Sequence, residues 1–302
     1  MFDKINNSLK FINHNKKKFS QNWNNSEKII LVEFFEYKPS MIPYSYISNV
    51  LAKKYNAKII AYKTKFHNYN DFIKRFFKLP LVNNFNIFKS FNVNFLIVPN
   101  KKSSDKDRIY KILKIIRSNL KKKDDILKIK IKNIIIGDLV YDEYLRKYNL
   151  STIDLKDDQF QNHLKDMVLL FFFWFNYFQN HSVKSVIISH SVYSMGIVPR
   201  IAISKNIRVF NLGMSYCYSL NKKNYLRLSG FEKYPNNFKK IKKLVKKNLI
   251  SFSKKNLLKK LEGEGSVNEI LSNLDVSVFK KTTSKKKNKN QEKSILIALH
   301  CF

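Results

Sequence analysis

The chain has 302 residues, of which 44% are hydrophobic, 14% aromatic and 26% charged, with only 6 Gly and 6 Pro. So much apolar side chain can bury a large core, which excludes a disordered or fibrous chain and fits one large or two smaller domains. The formal charge of +36 is carried by 51 Lys against only 7 Arg, amid abundant Asn. This excess has the look of a coding bias toward A and T, and it disfavours nucleic acid as the partner, because Arg is the side chain suited to bidentate phosphate and base contacts.

Cys217 and Cys301 lie far apart and match no paired-cysteine or zinc spacing, so a reduced, cytoplasmic chain without a structural metal is expected. The polar start MFDKINNSLKFINHNKKKF lacks the apolar segment of a secretory signal. The longest apolar run, Met167 to Phe175, is bounded by Asp166 and Asn176 and falls short of the roughly 20 residues that span a bilayer. The expected location is the cytoplasm, with contact at most peripheral to the inner face of the cell membrane.

Residues 1–25 are rich in Asn and Lys and read as an arm or short helix. The run KIILVEFF at 28–35 predicts a strand, followed by a turn at Tyr37-Lys38-Pro39-Ser40 and a helix from about Met41 to Tyr55. Further strands are predicted over 57–62 and 94–99, with a short helix over 71–78 between them. Ile109, Ile112, Leu113, Ile116 and Leu120 recur at three and four, which marks an amphipathic helix over about 105–120. A helix over 157–180 is apolar on nearly every face and is expected to be buried. Strands over 183–189 and 208–212 flank a helix over 192–204. Strands alternating with helices at this spacing predict βαβ units and a mainly parallel sheet.

Between Asn221 and Lys260 there are 14 Lys or Arg against the single acid Glu232. Phe238, Ile241, Val245 and Leu249 form a stripe at helical spacing that is expected to face a core. Residues 26–260 are thus assigned to a Rossmann-like α/β domain and 261–293 to a Lys-rich linker. The run SILIAL at 294–299 opens a new strand just before the sequence stops. A parallel strand after a linker needs partners, so residues 294–302 are expected to begin a truncated second α/β domain. The other option is a return of this strand to the edge of the first sheet.

In an open parallel sheet, ligands gather outside the carboxyl ends of the strands, so polar residues there are the first candidates for chemistry. Glu33 lies inside the first apolar run, with Glu36 and Tyr37 at its end, and either carboxylate could act as base or bind sugar hydroxyls, or Glu33 could simply pair with a lysine and Glu36 be solvated. Gly137, Asp138, Tyr141, Asp142 and Arg146 follow the strand-like run IIIG, although Gly-Asp there is also ordinary turn chemistry. His190, with Ser189, Ser191 and Tyr193, sits between a strand and the next helix. It could be a general base or a donor to phosphate near the helix dipole, or it could only cap the loop. Gly213 follows the strand RVFNL, and His300 would occupy the equivalent place after SILIAL. The stretch after the first strand has no G-x-G-x-x-G, and P-loop, HExxH and paired CxxC motifs are absent. A dinucleotide cofactor with nicotinamide redox chemistry, ATP hydrolysis and zinc proteolysis are accordingly disfavoured. A Ser/His/Asp hydrolase is disfavoured too, since no G-x-S-x-G elbow is present.

Four segments, VEFFEYKPSMIPYSYISNVLAKKY, IIIGDLVYDEYLRKYNLSTIDL, VIISHSVYSMGIVPRIAISKNIRVFNLG and the terminal ILIALHCF, together resemble a family of capsular and surface polysaccharide biosynthesis proteins regarded as GT-B-like glycosyltransferases. The resemblance implies two Rossmann-like domains facing a cleft, with the nucleotide-sugar donor held mainly by the second and a glycan or lipid-linked acceptor mainly by the first. It carries over Gly137, Asp138, Tyr141, Asp142, His190, Tyr193, Arg200 and Gly213 as cleft or framework residues. His190, Asp138 or Glu36 would serve as base, with no cofactor or metal obligatory and the nucleotide sugar as substrate. Two rival readings stay open: a sugar-nucleotide epimerase of similar architecture, and a non-catalytic basic protein that binds anionic membrane or nucleic acid.

Overall fold

The computed structural model describes residues 2–20, 25–34, 38–66, 84–101, 106–213, 217–226 and 234–261. The chain divides into two compact units, Met1–Ser229 and Gly230–Phe302. Glu36, Tyr37 and His300 lie outside the described residues, as do the expected helix at 71–78, the linker and the last strand.

The first unit is built on a six-stranded, mostly parallel sheet. Its elements run α1 (Phe2–Lys18), β1 (Lys28–Glu33), α2 (Lys38–Tyr55), β2 (Lys58–Tyr62), α3 (Asn84–Lys89), β3 (Val93–Ile97), α4 (Lys106–Asn119), α5 (Asp124–Leu127), β4 (Lys130–Ile131), β5 (Ile134–Ile135), α6 (Gly137–Tyr148), α7 (Asp158–Asn180), β6 (Ser182–Ile188), a 3-10 turn at Tyr193–Gly196, α8 (Ile197–Ser204), β7 (Arg208–Leu212) and β8 (Cys217–Leu220). The strand order is β3-β2-β1-β6-β7-β8. All neighbours pair in parallel except β7 and β8, which are antiparallel. This is a Rossmann-like α/β arrangement.

Parallel strands at the centre of such a sheet are covered on both faces, which is why β1 reads as an unbroken apolar run. Ile29 and Leu31 face one core layer with residues of α4, α6, α7 and α8, while Ile30 and Val32 face a second layer with Met41, Tyr44, Leu51 and Ala52 of α2. The helix α7 supplies much of the larger layer. Its N-cap Asp157 accepts the Gln159 amide at 2.9 Å, satisfying one of the free donors at the helix start. Beyond that cap Phe160, Leu164, Met167, Val168, Phe171, Phe172 and Trp174 are buried, as the sequence pattern predicts. The N-terminal arm is a helix, held by the Asn15 side chain donating to Ser90 Oγ at 3.1 Å and by Phe11 against Phe91.

Three local expectations are corrected. The run IIIG does not feed the main sheet: Ile134 and Ile135 pair antiparallel with β4 in a separate hairpin. The two residues between those strands, Lys132 and Asn133, both have positive φ, 51° and 63°, which makes the tight turn that suits a hairpin. The helix expected from Val192 starts only at Ile197, because Tyr193 has φ 55° and an α-helix cannot run through a left-handed residue. In the second unit, α9 (Tyr234–Lys240) and α10 (Lys243–Leu261) leave Phe238, Val245 and Leu249 exposed where a core stripe was expected. Leu244, Ile250, Phe252, Leu257 and Leu258 are exposed too, since apolar residues and lysines alternate around α10 without a single apolar face.

Gly137 opens α6 against α5. A Cβ there would lie 1.9 Å from the Ile126 carbonyl oxygen and 2.8 Å from the Leu127 carbonyl carbon, both backbone atoms. Gly137→Ala must therefore push α6 off α5, and it should lower stability by about 1–3 kcal/mol in urea unfolding.

Candidate active site

The strand order reverses between β1 and β6: the chain moves outward from β1 to β2 and β3 on one side, and from β6 to β7 on the other. The carboxyl ends of the strands on either side of such a reversal flank a crevice that open α/β sheets use for ligands. Two of the sequence candidates meet there. Glu33 ends β1, and Ser189 and His190 directly follow β6.

Glu33 is 4% exposed. Its Oε2 accepts the Ser189 amide at 2.6 Å and the Ser189 hydroxyl at 2.8 Å, and His190 Nδ1 lies 2.9 Å from the same hydroxyl oxygen. The three side chains form a chain from buried carboxylate through hydroxyl to an exposed imidazole. When Glu33 is ionised, Ser189 donates its only hydroxyl proton inward. Its oxygen can then only accept from His190, so the ring proton sits on Nδ1 and Nε2 keeps a free lone pair.

Burial raises the Glu33 carboxyl from 4.5 to about 7, against the opposing effects of the Ser189 hydrogen bonds and of the Lys63 charge. His190 is held below the ordinary imidazole value, first by desolvation and then by the positive Arg146. The site thus carries a carboxyl that titrates near neutrality and an imidazole kept neutral there, a pairing suited to proton transfer. Tyr62, paired with Glu33 across the β1–β2 ladder, is fully buried and its hydroxyl has no hydrogen-bond partner among the described residues. Its pKa is raised by burial first and by Glu33 second.

The remaining candidates are placed differently. Asp138 pairs bidentately with the buried Arg200, whose Nη1 also donates to the Ile135 carbonyl at 2.8 Å. This clamp ties the start of α6 and the β4–β5 hairpin to α8. Asp142 is raised above the usual carboxylate range, first by burial and then by Asp138, with Arg200 opposing. Tyr141 is half-buried against the main core layer. Tyr193 stacks beneath the Arg146 guanidinium, 4.5 Å from the ring centroid. Gly213 follows β7, whose Leu212 carbonyl accepts the Tyr44 hydroxyl at 2.5 Å.

Sequence reasoning passed over Glu143. It is 6% exposed, accepts the Ser194 amide at 3.0 Å and pairs with Lys65 at 2.6 Å. These partners, led by the Lys65 side chain, outweigh its desolvation and lower its pKa. The signal was present: Glu143 stands four residues after Leu139 and three after Val140, on the buried face of α6. Beside it a cleft of about 720 Å3 opens along the ends of β2 and β3, between α6 and α7.

Among the described residues, no cluster of three His, Cys, Asp or Glu could hold a metal ion, and no helix is long and apolar enough to cross a membrane. No family model, curated protein or solved structure matches the chain.

Two measurements test this arrangement. For Glu33 the folded-state pKa lies above the unfolded value, so the folded chain binds more protons between pH 4.5 and 7, and stability falls as pH rises through that window. Glu33→Gln keeps an acceptor for Ser189 without the buried charge. Its unfolding free energy should match the parent near pH 4 and exceed it by about 3 kcal/mol at pH 8. By contrast, Asp138→Ala leaves Arg200 buried without its carboxylate and should cost about 3 kcal/mol at neutral pH.

Proposed function

We propose that the chain is the Rossmann-like part of a glycosyltransferase-like enzyme of capsular or surface polysaccharide biosynthesis, moving a sugar from a nucleotide-sugar donor to a glycan or lipid-linked acceptor. The observation that carries this reading is the Glu33–Ser189–His190 chain at the reversal of the sheet. The four sequence segments that resemble such enzymes support it as well, since two of them contribute these residues.

In this mechanism His190 is the base. With Glu33 ionised, Nε2 takes the proton of the acceptor hydroxyl. The freed oxygen forms a bond to the anomeric carbon of the donor as the bond to the diphosphate breaks, and the nucleoside diphosphate departs with its electron pair. Glu33 acts through Ser189 and is a positioning residue. Asp138 enters this scheme as part of the framework, since its carboxylate is already committed to Arg200.

The experiment is a transfer assay on the gene product containing this chain, with nucleotide sugars and lipid-linked or glycan acceptors, following product length and nucleoside diphosphate release. His190→Ala should lower turnover by about 10²–10⁴-fold. The parent rate should rise through pH 7 as Glu33 ionises, and Glu33→Gln should flatten that limb. Undiminished transfer by His190→Ala would sink the proposal. Donor consumption without a longer glycan would move the assignment to an epimerase.

A further inference from the structure

The cleft between α6 and α7 is lined by four cations, Lys65, Lys101, Arg146 and Lys147, against two carboxylates, Glu143 and Asp166. The carboxylates are already used. Glu143 pairs with Lys65 at 2.6 Å and Asp166 with Lys101 at 2.8 Å, which holds both lysine heads at the wall. His163, also in the lining, has its pKa lowered by burial, and its Nε2 donates to the Val140 carbonyl, 3.2 Å away.

Arg146 and Lys147 are left over. They are exposed neighbours on α6, and each lies over an aromatic ring, Tyr193 at 4.5 Å and Tyr148 at 4.8 Å. Neither has a carboxylate partner among the described residues. The rings fix where the two charges stand without neutralising them. Tyr193 is held in place in turn by its left-handed backbone, φ 55°, a conformation that a tyrosine adopts only at a cost.

Two prepositioned, unneutralised cations at the mouth of a cleft large enough for a sugar or nucleotide make an anion site, and a guanidinium next to an ammonium suits a phosphoryl group. We infer that this cleft binds the phosphoryl group of a phosphorylated ligand, with Arg146 and Lys147 as its contacts. Arg146 also acts electrostatically on His190, so a phosphate seated here would neutralise the charge that depresses the imidazole and would make His190 a stronger base. The effect on His190 as base rests on the transfer reading, whereas occupancy of the cleft is read without turnover.

The test is binding to the intact chain by titration calorimetry and by phosphorus NMR, with four probes: inorganic phosphate, uridine diphosphate, glucose 1-phosphate and farnesyl diphosphate. Glucuronate serves as the carboxylate control. At least one phosphate probe should bind, and the Arg146→Ala/Lys147→Ala double variant should weaken it by about tenfold or more. Lys222→Ala/Lys223→Ala, which removes two lysines from a different surface recess, should leave it unchanged. Preference for the uridine or the farnesyl compound names a soluble nucleotide or a lipid-linked phosphate as the source. A second readout is the His190 imidazole in proton NMR, whose pKa should rise on saturation with the bound probe and should rise in Arg146→Ala without it. The inference is overturned if no phosphate probe binds, if glucuronate alone binds, or if both double variants weaken binding equally.

Discussion

The buried carboxylate of Glu33 is the constraint around which the carboxyl end of the sheet is organised. A charge at the end of a central strand, screened from water on both faces, persists only with donors aimed at it. The donors come from one residue, Ser189, through its amide and its hydroxyl. The register of β1 against β6, with Val32 opposite Ile187, is what delivers that residue to the right place. The hydroxyl can satisfy Glu33 only by turning its proton inward, and this sets the direction of the contact with His190. A packing requirement and a chemical orientation are thus met by the same two hydrogen bonds.

Around this centre, the segment between β3 and β6 does two jobs. Its helices α4 and α7 cover one face of the sheet, and α6 brings Glu143 and Arg146 to the carboxyl ends of the strands. The clamp of Asp138 and Arg200 belongs to the first job. It fastens the start of α6 to α8, which in turn fixes how far Arg146 stands from the loop that carries His190. Residues that look alike as candidates in the sequence are therefore placed differently: His190 in the hydrogen-bonded chain to Glu33, Asp138 and Arg200 in the clamp, Gly137 in close packing against α5.

Much of the fold was legible in the sequence, because strands buried on two faces and helices buried on one leave distinct periods. The β1, β2, β3, β6 and β7 runs and the helices α2, α4 and α7 were readable for that reason. The hairpin of β4 and β5 was not, since its strands have two residues each and its turn depends on backbone angles at Lys132 and Asn133 that many sequences can adopt. The antiparallel β8, four residues with one buried side chain, leaves no period to detect. In the site, Glu33 could be nominated as a carboxylate inside an apolar strand run and His190 from its place after a strand. Their connection through Ser189 could not, because it depends on which strands are neighbours, and sequence pattern is silent on strand order.

That connection joins residues 156 apart in the chain, and it has a consequence for how the molecule comes into being. The pairings of β1 with β2 and of β6 with β7 close short loops, whereas the β1–β6 seam closes the longest one and carries the largest entropic penalty. The β1–β6 seam is thus the costliest pairing of the sheet to close. The hydrogen-bonded chain of Glu33, Ser189 and His190 lies across that seam. Until β1 and β6 have paired, Glu33 and His190 belong to separate parts of an unfinished molecule, and the candidate site is not assembled.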